Sequence, residues 1–268
     1  MDFSDNKQPI ITKCKGSTGF LLLNRPEKKN ALNEKMWRAI PVALERLNCD
    51  KTVRVIILGS STEGVFSAGA DIAELELIAA SAERRESNRR AIFAAQQAIA
   101  DSPKPVIAQI DGACMGGGCG LALHCDIRFA TNVARFGITP AKLGILYPLS
   151  DTRRLLELIG PSKAKSMLFT ARVIKADEAL SIGLVDEIYS QATLAEKTEA
   201  FANQIAEVSQ YSVRNMKKII RAILDGQTEE DDASSEMFKA AQEGEDAAEG
   251  MRAFIEKRPA KFTWNGDE

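Results

Sequence analysis

Gly112-Ala113-Cys114-Met115-Gly116-Gly117-Gly118-Cys119-Gly120 runs directly into Leu121-Ala122-Leu123-His124-Cys125-Asp126. Three consecutive glycines after the apolar run Val106-Ile107-Ala108-Gln109-Ile110 place bare backbone at a strand-to-helix junction. Without Cβ atoms a ligand can approach the main chain closely. At a helix N-terminus the free N–H groups and the positive dipole end favour negative charge. Aimed at a carbonyl oxygen, such N–H groups form an oxyanion hole. A glycine-rich turn that only lets a helix pack closely would be written in the same residues.

A second segment of the same kind is Gly64-Val65-Phe66-Ser67-Ala68-Gly69-Ala70-Asp71-Ile72, after the apolar run Val53 to Gly59. With it the chain resembles the enoyl-CoA hydratase/isomerase (crotonase) superfamily. Asn24-Arg25-Pro26-Glu27-Lys28-Lys29-Asn30-Ala31-Leu32 is similar to its N-terminal motif, and Phe66 to Ile72 to its F-S-A-G-A-D-I motif. Lys104 to Ala108 leading into Gly112 to Asp126, Ala164 to Val185, and Phe254-Ile255-Glu256-Lys257-Arg258-Pro259 follow in the family's order. The likeness runs from about Ile11 to Lys261. It implies a spiral of ββα units, a coenzyme A thioester substrate, no separate cofactor, and trimers that pair as hexamers.

Composition sets the outer limits. The chain has 268 residues, 45% hydrophobic, with net charge −2. That suits a soluble globular protein with a sizeable core and gives no basic surface for nucleic acid or an anionic membrane. The Arg84-Arg85 and Arg89-Arg90 cluster reads as a solvated helix face, with a nearby phosphate as the alternative. Five cysteines without a Cys-x-x-Cys pair, and a single histidine, argue against a zinc site. An odd cysteine count points to reduced thiols and a cytoplasmic setting. The acidic start, Met1 to Asp5, reads as neither signal nor transit peptide. No apolar run reaches membrane-spanning length.

Strands are expected at Phe20–Leu23, Val53–Leu58, Val106–Ile110, Arg128–Ala130 and Val185–Ile188. Helices are expected at 33–47, 80–100, 117–125 and 162–170. Strands alternating with helices indicate an α/β core, and unbroken apolar strands indicate burial on both faces. Beyond Ile188 only helical composition remains, at 194–209, 213–224 and 229–257, with Thr228 an N-cap and Gly226 closing the helix before it. The division expected is a core at 1–200 and a helical oligomerisation subdomain at 201–268.

The resemblance assigns the oxyanion hole to the N–H groups of Ala70 and Gly117, small residues that leave room for a thioester. It assigns coenzyme A contacts to Lys28, Ala31, Ala68, Asp71 and Ile72, with Lys257 meeting the 3′-phosphate, from another subunit in one arrangement. The two glutamates of the family's hydratases fall at Gly120 and Pro140, and an aspartate used by other relatives falls at Pro148. Water addition needs a proton donor and a base, and glycine and proline supply neither.

Loss of CO2 from a malonyl-type thioester needs no base, because C–C cleavage delivers electrons to the α-carbon. Thr139-Pro140-Ala141-Lys142-Leu143-Gly144-Ile145-Leu146-Tyr147 resembles a stretch of methylmalonyl-CoA decarboxylases whose tyrosine matches Tyr147, although their histidine stands where this chain has Ala70. Decarboxylation is therefore the leading expectation, with Tyr147 and Thr139 as hydroxyl donors or, alternatively, as packing residues. The second is an isomerase or unusual hydratase using Asp151, which otherwise reads as N-cap of a helix 152–159. The third is an acyl-CoA binder without catalysis. Glu74 reads as exposed, and His124, Cys119 and Cys125 as packing residues. If Asp151 and Tyr147 face away from Ala70 and Gly117, the binder gains; an acid in the place of the missing pair removes the case for decarboxylation.

Overall fold

The computed structural model describes residues 8–266; the Met1–Asp5 segment lies outside the described residues. The long apolar runs form a six-stranded sheet of β1 (Ile10–Lys15), β2 (Thr18–Leu23), β3 (Val55–Ser60), β5 (Val106–Ile110), β7 (Ile127–Thr131) and β10 (Glu187–Tyr189), in that spatial order. The β1–β2 pair is antiparallel and all other neighbours are parallel. Both faces are covered. Val55, Ile57, Ile107 and Phe129 pack with Leu194, Ala202 and Ala206 of α7 (Gln191–Glu207), while Ile56, Leu58, Val106, Ala108 and Ile110 join the larger core on the other side. Alternate residues of one strand thus enter two cores, which is why the strands show no polar alternation.

A second sheet holds β4 (Val65–Ser67), β6 (Ala113–Met115), β8 (Arg135–Gly137) and β9 (Val173–Lys175). The residues alone do not predict these strands or β1. Three residues are too few to display a period of two. The glycine-rich stretch is therefore not a direct junction between β5 and a helix, because β6 intervenes. The order is β3, β4, then α2 (Ile72–Ala79) and α3 (Ala82–Ala100); β5, β6, then α4 (Gly117–His124); β7, β8, then α5 (Leu149–Thr170). Each turn crosses from the first sheet to the second and returns through helix, the ββα spiral that the resemblance implied.

Local chemistry fixes the helix ends. Asn33 caps α1 (Glu34–Cys49), accepting from the Met36 amide at 2.9 Å. The helix expected from 80 starts at Ala82, where the Ser81 side chain accepts from the Arg84 amide, and α2 is a separate turn before it. The helix expected at 152–159 begins earlier, behind Pro148, and α5 continues past it through a kink at Gly160, whose φ is +71°. Asp151 consequently lies in the first turn and is not the N-cap. Thr228 is not a cap either: Asp231 accepts from the Ser234 amide at 2.7 Å and starts α9 (Asp232–Glu243). α6 (Ala176–Ser181) leads towards β10, and α8 (Gln210–Leu224) and α10 (Glu245–Glu256) complete the C-terminal helices. The expected boundary between 200 and 201 falls inside α7, which packs on β2, β3, β5, β7 and β10. Among the described residues no helix is long and apolar enough to cross a membrane.

Candidate active site

α4 carries the site. Gly118 to His124 are all buried, which the small and apolar residues of this helix allow. Gly116 enters it with φ +47°, a conformation that favours glycine, and its amide donates to the Gly137 carbonyl at 2.8 Å. Opposite lies the loop from Ala68 to Ile72. Leu32 brackets that loop: its amide donates to the Gly69 carbonyl at 2.7 Å, and its carbonyl accepts from the Asp71 amide at 3.0 Å. Ala70 sits exposed between those two bonds. Gly69 and the Met115–Gly116 backbone touch, since a Cβ on Gly69 would stand 3.1 Å from the Met115 carbonyl oxygen. Among the described residues, neither the Ala70 amide nor the Gly117 amide has a hydrogen-bond acceptor. Two unsatisfied donors on touching loops are what a carbonyl oxygen requires.

Glycine at 117 has a packing reason as well. A Cβ there would meet the Trp37 ring at 3.0 Å and Leu32 at 3.2 Å, so glycine also lets α4 pack on α1.

The outer wall contains Ala68, Ala70 and Ile72, all exposed, with Lys28 exposed and Ala31 half-buried on the preceding segment. The Ala68 amide donates to the Lys29 carbonyl at 2.9 Å, which ties these segments together. Asp71 is already engaged. It pairs with Arg25 at 2.7 Å and caps α2, and the Arg25 hydrogen bond holds its carboxyl below the usual range. Lys257 terminates α10, which packs on α9, and no hydrogen bond or ion pair among the described residues joins it to this wall. Glu74 is not simply exposed, because its carboxylate accepts from the Glu34 amide at 2.8 Å. Arg84, Arg85, Arg89 and Arg90 lie on the solvated face of α3, the last two paired with Glu86.

Sequence reasoning assigns Asn30 no role. It is fully buried at φ +52°. Its side-chain amide donates to the Ser60 hydroxyl at 2.7 Å and the Phe66 carbonyl at 3.1 Å, and its oxygen accepts from the Arg25 amide. It fixes the Phe66–Ala70 loop from behind. Asn30→Ala removes those bonds and puts alanine at positive φ; unfolding in urea should show a loss of about 2–3 kcal/mol. An unchanged midpoint would refute this role.

The two lost positions differ. Pro140 opens a 3-10 turn, Pro140–Leu143, as proline at a first helical position does. Thr139 precedes it; its carbonyl accepts from the Lys142 amide, and its hydroxyl has no partner among the described residues. At Gly120 the space is filled. A Cβ there would stand 2.8 Å from Oδ2 of Asp151 and 2.5 Å from Nε2 of Gln96. Asp151 is 1% exposed, and Gln96 Nε2 donates to its Oδ2 at 3.0 Å. An acid from α5 thus occupies the place that a side chain at 120 would enter. The expectation that this place lacks a carboxyl is corrected, and with it the main ground for decarboxylation.

Burial pushes the Asp151 carboxyl up to about 6, against hydrogen bonds from Gln96 and Ser150 that favour the ionised form. Tyr147 lies alongside. Its hydroxyl donates to the Gly116 carbonyl at 3.4 Å, and burial, then the Asp151 charge, raise its pKa well above the phenol range. Asp151 and Tyr147 therefore both face the N-terminal turns of α4. His124 Nδ1 is 3.8 Å from Asp151 Oδ1 and 2.7 Å from the Gly120 carbonyl oxygen. Burial drives its pKa down to about 4, so near neutrality the ring is uncharged and donates to Gly120 rather than forming an ion pair. Cys119 and Cys125 are buried, with sulfurs directed at backbone carbonyls, as packing residues would be. Two large cavities lie elsewhere, one of about 1050 Å³ among α8, α9 and α10 and one of about 540 Å³ between α8 and the C-terminal end of α4; none of Ala68, Ala70 or Gly117 lines either.

Comparison with known proteins agrees with this architecture. The family model described as enoyl-CoA hydratase/isomerase matches residues 14–265. A crotonyl-CoA hydratase of Syntrophomonas wolfei is 38% identical over 94% of this chain and 97% of its own length. A short-chain-enoyl-CoA hydratase of Clostridium acetobutylicum is 35% identical over 93% and 95%. The crystal structure of an enoyl-CoA hydratase/isomerase family protein from Hyphomonas neptunium superposes with a TM-score of 0.93 at 43% identity, covering 96% of this chain and 98% of that one. The touching loops at 69–70 and 115–117, the ββα spiral and these matches agree: the chain is an enzyme of the enoyl-CoA hydratase/isomerase family.

Proposed function

We propose that this enzyme moves a single proton on an acyl-CoA thioester, with Asp151 as the acid–base group and the Ala70 and Gly117 amides holding the thioester oxygen. The reaction that fits is isomerisation of a 3-enoyl thioester to the 2-enoyl form. The Asp151 carboxylate takes a proton from C2. The electrons spread over C2 to C4 and into the thioester oxygen, where two fixed amides stabilise the charge by several kcal/mol. The same proton returns at C4, and the double bond moves from C3–C4 to C2–C3. One carboxyl serves both steps, so proline at 140 is no obstacle. Water addition would need a second group there.

The observation that carries this reading is the Asp151 carboxyl in front of Gly120. Coenzyme A is held, in the same proposal, along Lys28, Ala31, Ala68, the backbone at Asp71, and Ile72, with Lys257 supplied by a neighbouring subunit of a trimer. Reduced thiols and a cytoplasmic setting go with it. Tyr147 and Thr139 act as hydroxyls at the acyl end. The names of the similar enzymes point to hydration, so crotonyl-CoA is the proper control.

Turnover of a 3-enoyl-CoA, crotonyl-CoA and methylmalonyl-CoA by wild type and Asp151→Asn tests the proposal. Isomerisation should be the fastest reaction and should be lost in the variant. Rapid crotonyl-CoA hydration, or methylmalonyl-CoA decarboxylation indifferent to the substitution, would overturn it, and tight acyl-CoA binding without any turnover would favour a binding protein. The pH dependence has a definite sign. The base form of Asp151 is present above about 6. kcat/KM should therefore be level at pH 7–8 and fall about tenfold per pH unit below about 6. A profile flat down to pH 5 would exclude Asp151 as the base.

A further inference from the structure

We propose that Gln96 is a positioning residue that holds the Asp151 carboxyl in front of Gly120, giving its amide N–H to the carboxylate and its amide oxygen to the carboxylic acid. The inference rests on the reading of Asp151 as the proton mover.

Gln96 lies in the interior of α3 and is 1% exposed, an unusual place for an uncharged polar side chain. Its Nε2 has a partner, Asp151 Oδ2, at 3.0 Å. Among the described residues its Oε1 is buried without any hydrogen-bond partner. A buried acceptor left open costs free energy unless something supplies a donor for part of the time. The group beside it does so. When Asp151 takes up a proton it gains an O–H, and a half-turn of the Gln96 amide about its last torsion brings Oε1 to accept from it. Both protonation states of the carboxyl then have a partner from one side chain. A lysine or arginine could serve only the ionised form, and a leucine neither.

Other groups around Asp151 do not replace this function. Ser150 Oγ reaches Oδ1 at only 3.5 Å. His124 of α4 is neutral near pH 7 and donates its Nδ1–H to the Gly120 carbonyl. Arg154 of α5 and Arg221 of α8 act on His124, lowering its pKa together with burial, while Asp101 opposes them. Tyr147 feels the Asp151 charge, and its hydroxyl is directed to the Gly116 carbonyl rather than to the carboxyl. Among the described residues, the hydrogen bond that α3 gives Asp151 comes from Gln96.

The test follows the carboxyl itself. The ¹³C shift of the Asp151 side chain, assigned by its disappearance in Asp151→Asn, is titrated in wild type, Gln96→Met and Gln96→Glu. Methionine keeps the length and removes both polar atoms; the Asp151 midpoint should rise by about one pH unit, because the bond to the ionised form is gone. The raised midpoint should lower kcat about twofold at pH 7 and approach tenfold below pH 6, with KM within about twofold. In Gln96→Glu the two carboxyls should share a proton and titrate in two separated steps. The two-step titration guards against a methionine variant that fails to fold. A methionine midpoint within a few tenths of wild type, or independent single-step titration in the glutamate variant, overturns the proposal for Gln96. If the midpoints move as stated while Asp151→Asn retains full turnover, Gln96 does hold Asp151 but Asp151 is not the proton mover.

Discussion

Asp151→Asn is expected to lower turnover in the proposed 3-enoyl-CoA isomerisation by roughly 100- to 10,000-fold, the range for loss of a positioned acid–base group, and to make the protein more stable at pH 8. The second effect has a sign that follows from burial. The Asp151 carboxyl sits at about 6 in the folded chain, against 3.8 as its ordinary value. Between those values the folded chain holds a proton that the unfolded chain has lost, so the carboxyl costs the fold nothing below about 4 and its full penalty is present above about 6. At about 1.4 kcal/mol per pH unit, removing it is worth up to about 3 kcal/mol at pH 8 and nothing at pH 4. His124 has the opposite sign. Its pKa of about 4 lies below its ordinary 6.5, so between these values the unfolded chain takes the proton and acidification destabilises the fold. In wild type the two groups offset one another between pH 4 and 6. In Asp151→Asn only His124 remains, and stability should fall more steeply with acid. Urea unfolding of both proteins at pH 4, 5, 6 and 8 checks this. A stability difference independent of pH would mean that the carboxyl is not buried as described; full activity in the variant would remove it from the mechanism. Gaining stability while losing activity is the usual signature of a group kept in place for chemistry.

Much of this is legible in the residues and the rest is hidden for definite reasons. Val55 to Leu58 and Val106 to Ile110 announce strands because each is an apolar run buried on two faces. Ala113–Met115 and Arg135–Gly137 announce nothing, because a three-residue strand has no period, yet they are what carries the chain to the head of α4. The two small-residue loops are legible as such, and the resemblance singles out the Ala70 and Gly117 amides within them. Asp151 stands out as an acid, but its sequence neighbours Ser150 and Thr152 suggest a cap. Only the close approach of α5 to Gly120 shows where its carboxyl goes. Gln96 carries no local signal at all: it lies within Ala94-Ala95-Gln96-Gln97-Ala98, and nothing in that run distinguishes it from its exchangeable neighbour Gln97. A contact between residues 55 positions apart is a property of the fold rather than of a motif.

The same close approach makes Gly120 and Asp151 a pair that cannot be changed independently. In Gly120→Glu the new Cβ alone arrives 2.5 Å from Gln96 Nε2 and 2.8 Å from Asp151 Oδ2, inside any real contact distance. What it meets are the tips of two side chains, so the backbone of α4 and α5 need not move. The tips must, and they are buried and bonded to each other. The burden therefore falls on geometry, and a second carboxylate in a dry space adds repulsion to it. Gly120→Glu should lose about 100-fold in kcat while its unfolding midpoint shifts modestly, by about 1–2 kcal/mol. Asp151→Gly alone should be as inactive as the asparagine variant. Combining them moves the acid from α5 to α4 and empties the space it needs. The double variant should exceed either single one by about tenfold or more, a coupling that independent sites do not show. Steady-state isomerase assays on the four proteins measure it. If Gly120→Glu alone keeps wild-type turnover, the space before Gly120 is not where the Asp151 carboxyl works. If the double variant shows only the product of the two separate losses, the two positions act independently and a carboxyl on α4 has not taken over from the one on α5.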